Sequence, residues 1–139
     1  MASRRKGRIL AFQALYCWDA VGASLEELTE FSWLEPEKKA AMEAEISAFS
    51  RLLISGTIEN IEAVDAMIRR HLKNWDFSRL NRVDLAILRM SIYTLMYQTD
   101  MAPSIVIDEA IGISKEYGAG GSFKFINGIL DNIHKSLGA

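Results

Sequence analysis

The sequence predicts an all-α fold of about seven helices. Three observations carry that prediction. Apolar residues recur at spacings of three, four and seven rather than two. Only two prolines, Pro36 and Pro103, interrupt stretches rich in Ala, Leu, Ile, Glu, Lys and Arg, which favour helix. No run alternates apolar and polar residues between turn signals, as strands would require.

The first helix is expected from near Gly7 to about Val21, with Ile9, Phe12 and Tyr16 on its apolar face and Gly22 as its stop. Gly7 weakens the helix start, so residues before it are expected to fray. Ser24-Leu25-Glu26-Glu27 is a capping box opening a short helix to about Phe31. Pro36 suits the first turn of a third helix. Met42, Ile46, Phe49 and Leu53 line that helix, and Gly56 is expected to close it. Thr57 is expected to cap a fourth helix carrying Ile58, Ile61, Val64, Ile68 and Leu72, followed by a connector anchored by Trp75. The stretch from Leu80 to Tyr97 is apolar on nearly every side, which predicts a central helix. Pro103 opens the next helix; Gly118, Gly120 and Gly121 end it. Ser122 is expected to cap the last, with Phe123, Ile126, Leu130, Ile133 and Leu137 as its stripe. A division falls near residues 73–78.

Length and composition fit one globular domain: 139 residues, 50% hydrophobic and 24% charged. The single cysteine, Cys17, excludes an intramolecular disulfide and multi-cysteine zinc sites. Met1 to Leu10 lacks the apolar stretch of a signal peptide, and no apolar run is long enough to span a membrane. A cytoplasmic location is the expectation. Net charge is −2, but Arg4, Arg5, Lys6 and Arg8 fall within the first eight residues with no acid among them. A basic arm on an acidic body fits polyanion binding, or a solvated terminus.

Three segments together resemble one family. They are Arg4-Arg5-Lys6-Gly7-Arg8 followed by Ala11 to Tyr16; Arg82 to Arg89 running into Ile92-Tyr93; and Ile107-Asp108-Glu109-Ala110 followed by Phe125 to Asp131. In this order and spacing they resemble the NusB family, over about residues 3–135. The resemblance implies an all-helical bundle of two packed subdomains, here about 1–72 and 78–139. It further implies a standalone transcription antitermination factor that joins NusE, a ribosomal small-subunit protein. The pair binds boxA-type single-stranded RNA within the RNA polymerase antitermination complex, notably on ribosomal RNA operons. A homodimer is left open, since some members self-associate. The chain departs from the family's usual residues at Asp108, Thr94 and Gly120-Gly121, where Asn, Glu and acidic residues are common.

The candidate RNA-binding residues are Arg4, Arg5, Lys6, Arg8, Gln13, Lys124 and Phe125. Arginine guanidinium groups pair with phosphate and stack on bases. The Gln13 amide can reach a base edge or phosphate, or is simply polar exterior. Phe125 lies about 120° from the centre of the last helix's stripe, so its ring is either buried against another helix or exposed for stacking. Tyr16 reads as core. The resemblance assigns Asp84 to the NusE contact; from residues alone it is a surface carboxylate.

No catalytic or metal-binding residues and no cofactor are expected. His71 and His134 belong to no motif, and Asp108 and Glu109 point about 100° apart on a helix. The glycines at 118, 120 and 121 lack the lysine and strand of a P-loop. The competing reading is a protein-binding helical scaffold without direct RNA contact.

Overall fold

The computed structural model describes residues 4–73 and 76–138. Trp75, the expected connector anchor, lies outside them. Among the described residues there are eight α-helices and one 3-10 turn, and no strand. The helices are α1 (Arg4–Val21), α2 (Leu25–Thr29), α3 (Pro36–Ala40), α4 (Ala44–Glu59), α5 (Ile61–His71), α6 (Arg82–Tyr97), α7 (Pro103–Tyr117) and α8 (Ser122–Gly138). The 3-10 turn, Phe77–Arg79, precedes α6.

Helix α1 starts at Arg4, not Gly7, so the basic segment expected to fray is an ordered helical turn. Packing overrides the weak propensity of glycine. A Cβ on Gly7 would stand 2.7 Å from the Phe49 ring, and the Ser50 hydroxyl donates to the Gly7 carbonyl at 2.7 Å. The absent side chain lets α1 and α4 approach at that point. Gly22, with φ of 71°, turns the chain out of α1. The capping box forms as expected: the Glu27 N–H donates to Ser24 Oγ and the Ser24 N–H to Glu27 Oε1, each at 3.1 Å.

The single helix expected from Pro36 is two. Helix α3 buries no residue, so no tertiary contact carries it beyond one turn. The chain becomes extended at Glu43 and re-enters helix as α4. Gly56, expected to end this helix, lies buried inside it, because Tyr93 of α6 occupies the space of its missing side chain. Thr57, expected as a cap, is likewise buried within α4. The turn comes at Asn60, whose side-chain amide donates to the Gly56 carbonyl at 2.8 Å.

Helix α6 is central, as its apolar sequence predicts. It is buried without interruption from Asp84 to Leu95 and packs against α1, α4, α5, α7 and α8. The Asn81 side chain caps it, accepting from the N–H groups of Val83 and Asp84 at 2.9 and 3.2 Å. Helices α7 and α8 pack on one another across a turn in which Gly121 has φ of 88°. Gly128 faces open space rather than a neighbouring helix, and Leu137, expected on the buried stripe of α8, is exposed.

A buried charge pair joins α5 to α6 in this interior. Arg89 of α6 donates from Nε and Nη2 to the two carboxylate oxygens of Asp65 on α5, both at 2.9 Å, and all four atoms are buried. Arg89 Nη1 also lies 3.5 Å from Asp19 of α1, which lies 3.3 Å from Arg82. The rings of Trp18 and Phe77 flank the guanidinium at 5.4 and 5.8 Å from their centres. Removing one partner of a buried pair strands the other charge, at a cost of about 3–5 kcal/mol. Asp65→Ala is therefore expected to lower unfolding free energy by that amount in urea titration; a loss under about 1 kcal/mol would mean that Asp19 or water already compensates the guanidinium.

Candidate nucleic-acid interface

The first turn of α1 divides its four cations between surface and interior. Arg4 and Lys6 are exposed. The Arg4 guanidinium lies over the Phe49 ring, 4.6 Å from its centre. Arg5 is part-buried: its Nη1 donates to Glu109 Oε2 at 3.0 Å, and Nη2 lies 3.9 Å from Glu116. Arg8 is buried, with 6% of its surface exposed, and donates to Glu109 Oε1 at 3.4 Å. Burial pulls the Arg8 guanidinium below its ordinary pKa; Glu109 opposes this and Arg4 adds to it. Of the four candidate cations, the structure leaves Arg4 and Lys6 at the surface and takes Arg8 into the interior. Arg8 holds α1 to α7, and it has little surface to offer a ligand.

Lys6 and Gln13 line a cleft of about 570 Å³ between α1, α3, α4 and the end of α7. Lys38 of α3 faces the same cleft, and Ile9, Leu10 and Tyr117 add apolar surface. Gln13 and Tyr117 continue into a second, largely apolar hollow of about 250 Å³ with Phe12, Tyr16, Cys17 and Val83. Tyr16 and Tyr117 are 40% and 41% exposed. Tyr16, expected in the core, therefore presents its ring at the surface. The buried positions of α1 are Gly7, Arg8, Ala11, Phe12, Ala14 and Leu15, which rotates its inward face away from Tyr16. The buried set 8-11-12-15 is fixed by the packing of α1 on α4 and α6, which the apolar spacing 9-12-16 does not contain.

The second hollow borders the start of α6, and α6 leads on to α8 through Asp84. The Ser122 hydroxyl donates to Asp84 Oδ2 at 3.2 Å. Asp84 is 6% exposed, so it is not the surface carboxylate that its sequence alone implies, and its Oδ1 is buried without a hydrogen bond. Ser122, expected as the cap of α8, is its first residue and is tied to α6. Beyond it, Lys115 and Lys124 lie over the Phe123 ring at 4.8 and 5.9 Å from its centre. This places a basic–aromatic cluster where α7 and α8 meet, which reading each helix separately could not find.

Phe125 resolves to neither extreme. It is half-buried, packs against the core, and lines an open groove of about 280 Å³ between α5 and α8. His71, Lys73, Lys124 and Asn132 share that groove. The sequence-predicted residues fall into separate groups. Lys6 and Gln13 line the cleft beside α1, with Arg4 and Arg5 on the same first turn, and Lys124 and Phe125 line the α5–α8 groove; Arg8 and Asp84 are buried. Among the described residues, no group of three or more His, Cys, Asp or Glu gathers as a metal site. Nor, among the described residues, is any helix long and apolar enough to cross a membrane.

The buried Asp84 has a measurable consequence. Burial raises its pKa above the usual carboxylate value of 3.8, and the Ser122 hydrogen bond only partly offsets this. A raised carboxyl pKa means the folded state prefers the neutral acid, so this group's stabilising effect is present at low pH and lost as pH rises through the folded value. Asp84→Asn keeps an acceptor for Ser122 without a charge. It is expected to be more stable than the parent at neutral pH, with the gain vanishing below about 3.8, where both side chains are neutral. Thermal midpoints across that pH range test this; a loss at neutral pH would mean the ionised form is the one the fold favours.

The NusB family model matches residues 5–135. A transcription antitermination protein NusB of Treponema pallidum is 49% identical over 133 residues, covering 96% of this chain and 93% of that protein. The structure of T. maritima NusB superposes with a TM-score of 0.85 at 35% identity, covering 96% of this chain and 92% of that one. A structure of the antitermination factors NusB and NusE in complex with double-stranded RNA gives 0.85 at 28% identity, with 96% of both chains covered. The central helix, the basic turn of α1 and the α7–α8 junction therefore sit in a known architecture, and this chain belongs to the NusB family.

Proposed function

We propose that this protein is a transcription antitermination factor that binds boxA-type RNA jointly with NusE, and that it acts by binding rather than by catalysis. The observation that carries the reading is a set of three surface hollows lined by cations, amides and aromatic rings, beside α1, between α1 and the α6–α7 side, and between α5 and α8, which the reading joins as one RNA tract. Single-stranded RNA is held by cations that follow its phosphates and by rings on which its bases stack. Lys6, Lys124 and the exposed edge of Arg4 supply the first; Tyr16, Tyr117 and Phe125 supply the second. Gln13 stands between them, with an amide able to discriminate base edges. The curated relative is named an antitermination protein, and a similar NusB structure contains NusE and RNA, which supports this assignment. Action on nascent RNA within the RNA polymerase complex places it in the cytoplasm.

Asp84 supports the NusE contact indirectly in this reading. Its buried carboxylate accepts from Ser122 and so fixes the start of α8, where the family resemblance puts the partner. Gly120 and Gly121, in place of acidic residues, leave that turn uncharged.

The test is fluorescence anisotropy of a labelled boxA-type RNA and a scrambled RNA, with and without NusE, at two salt concentrations. Selective binding enhanced by NusE is expected, with log K falling by about 0.7 per decade of salt for each phosphate neutralised. Tyr16→Ala is expected to weaken binding by the loss of about 1–3 kcal/mol of base stacking, with the thermal midpoint little changed because the ring is largely outside the core. Folded protein that associates with NusE yet leaves both RNAs unbound would favour the protein scaffold.

A further inference from the structure

Three residues of α7, namely Glu109, Gly112 and Glu116, stand at i, i+3 and i+7 and share one helix face. That face receives the first turn of α1. Glu109 Oε2 accepts from Arg5 Nη1 at 3.0 Å, and Glu116 Oε2 lies 3.9 Å from Arg5 Nη2. Gly112 supplies the room: a Cβ there would stand 2.7 Å from Arg5 Nη1. The Arg5 guanidinium thus occupies a seat with a glycine floor and two carboxylate walls, and 38% of its side chain remains exposed.

The two carboxylates are not equivalent. Glu109 is anchored from a second side by the buried Arg8, and its side chain is 25% exposed. Glu116 makes the longer contact and is 51% exposed. A guanidinium offering N–H donors to anionic oxygens presents here the same face it would offer a phosphate. We propose that Glu116, with Glu109 behind it, is an internal substitute for RNA phosphate at Arg5, which RNA must displace to engage that arginine. The proposal rests on the RNA reading above. Every complex that uses Arg5 is weakened by the same factor. Complexes held by phosphate contacts alone are the weakest to begin with, so this factor takes them below significant occupancy. Complexes that also stack bases and read edges persist.

A double-mutant cycle tests this. The complex of the full chain with NusE is titrated against labelled boxA-type RNA at low salt, as parent, Glu116→Gln, Arg5→Gln and the double variant. Glu116→Gln is expected to tighten binding about two- to fivefold, the scale of an exposed ion pair. The same change made on the Arg5→Gln background is expected to do nothing. Equal tightening on both backgrounds would overturn the proposal, since Glu116 would then be a general repulsive charge. So would an unchanged affinity in Glu116→Gln, or an Arg5→Gln variant that binds like the parent. Each of those results leaves the RNA reading intact; absence of binding by the parent overturns both.

Discussion

The fold turns on a guanidinium held inside its most buried helix. Helix α6 is buried along most of its length, and Arg89 lies within the buried stretch. A guanidinium there is tolerable only if its donors are satisfied, and the paired bonds to Asp65 satisfy them in one geometry. Because Asp65 is on α5 and Asp19 on α1, the pair fixes the rotation and register of both helices against α6. Apolar packing alone would tolerate small slides between these helices; the bidentate contact does not.

The surface tract inherits its order from that constraint. With α1 held through Asp19, its inward face is the one carrying Arg8, Ala11, Phe12 and Leu15, and its outer face carries Lys6, Gln13 and Tyr16. The contact of Gly7 with Phe49 and the Arg8–Glu109 bond extend this hold to the first turn of α1. At the other end, the bond from Ser122 to Asp84 sets the start of α8 on α6. Lys124 and Phe125 follow within a turn, so their position depends on the same central helix. Buried polar contacts thus carry orientation outward from α6 to the cations and rings at the surface.

The fold was legible in the sequence where periodicity and punctuation agreed. The central helix, the capping box at Ser24 and the turn after α1 followed from local chemistry. The glycines misled where tertiary approach, not backbone freedom, explains them: Gly7 and Gly56 mark helix contacts, and neither ends a helix. The split of α3 from α4 was hidden because Pro36 opens a segment with no buried face of its own. At the candidate site, charge and family resemblance singled out the first turn of α1 and the start of α8. They could not tell Arg8 from Arg4, because burial comes from α4 and α7, far away in sequence. Tyr16 was misplaced by a one-position error in the helix phase. The seat around Arg5 joins residues more than a hundred positions apart, which no local pattern contains.

The central claim is that RNA lies along one tract from the first turn of α1 to the α5–α8 groove. The most direct measurement is amide and side-chain chemical-shift mapping of the labelled protein, bound to NusE, on titration with boxA-type RNA. The account predicts changes at Lys6, Gln13, Tyr16, Tyr117, Lys124 and Phe125, with Arg89 and its buried partners unmoved. Changes confined to another surface, such as the exposed Tyr97 and Ile105 at the α6–α7 turn, would contradict it.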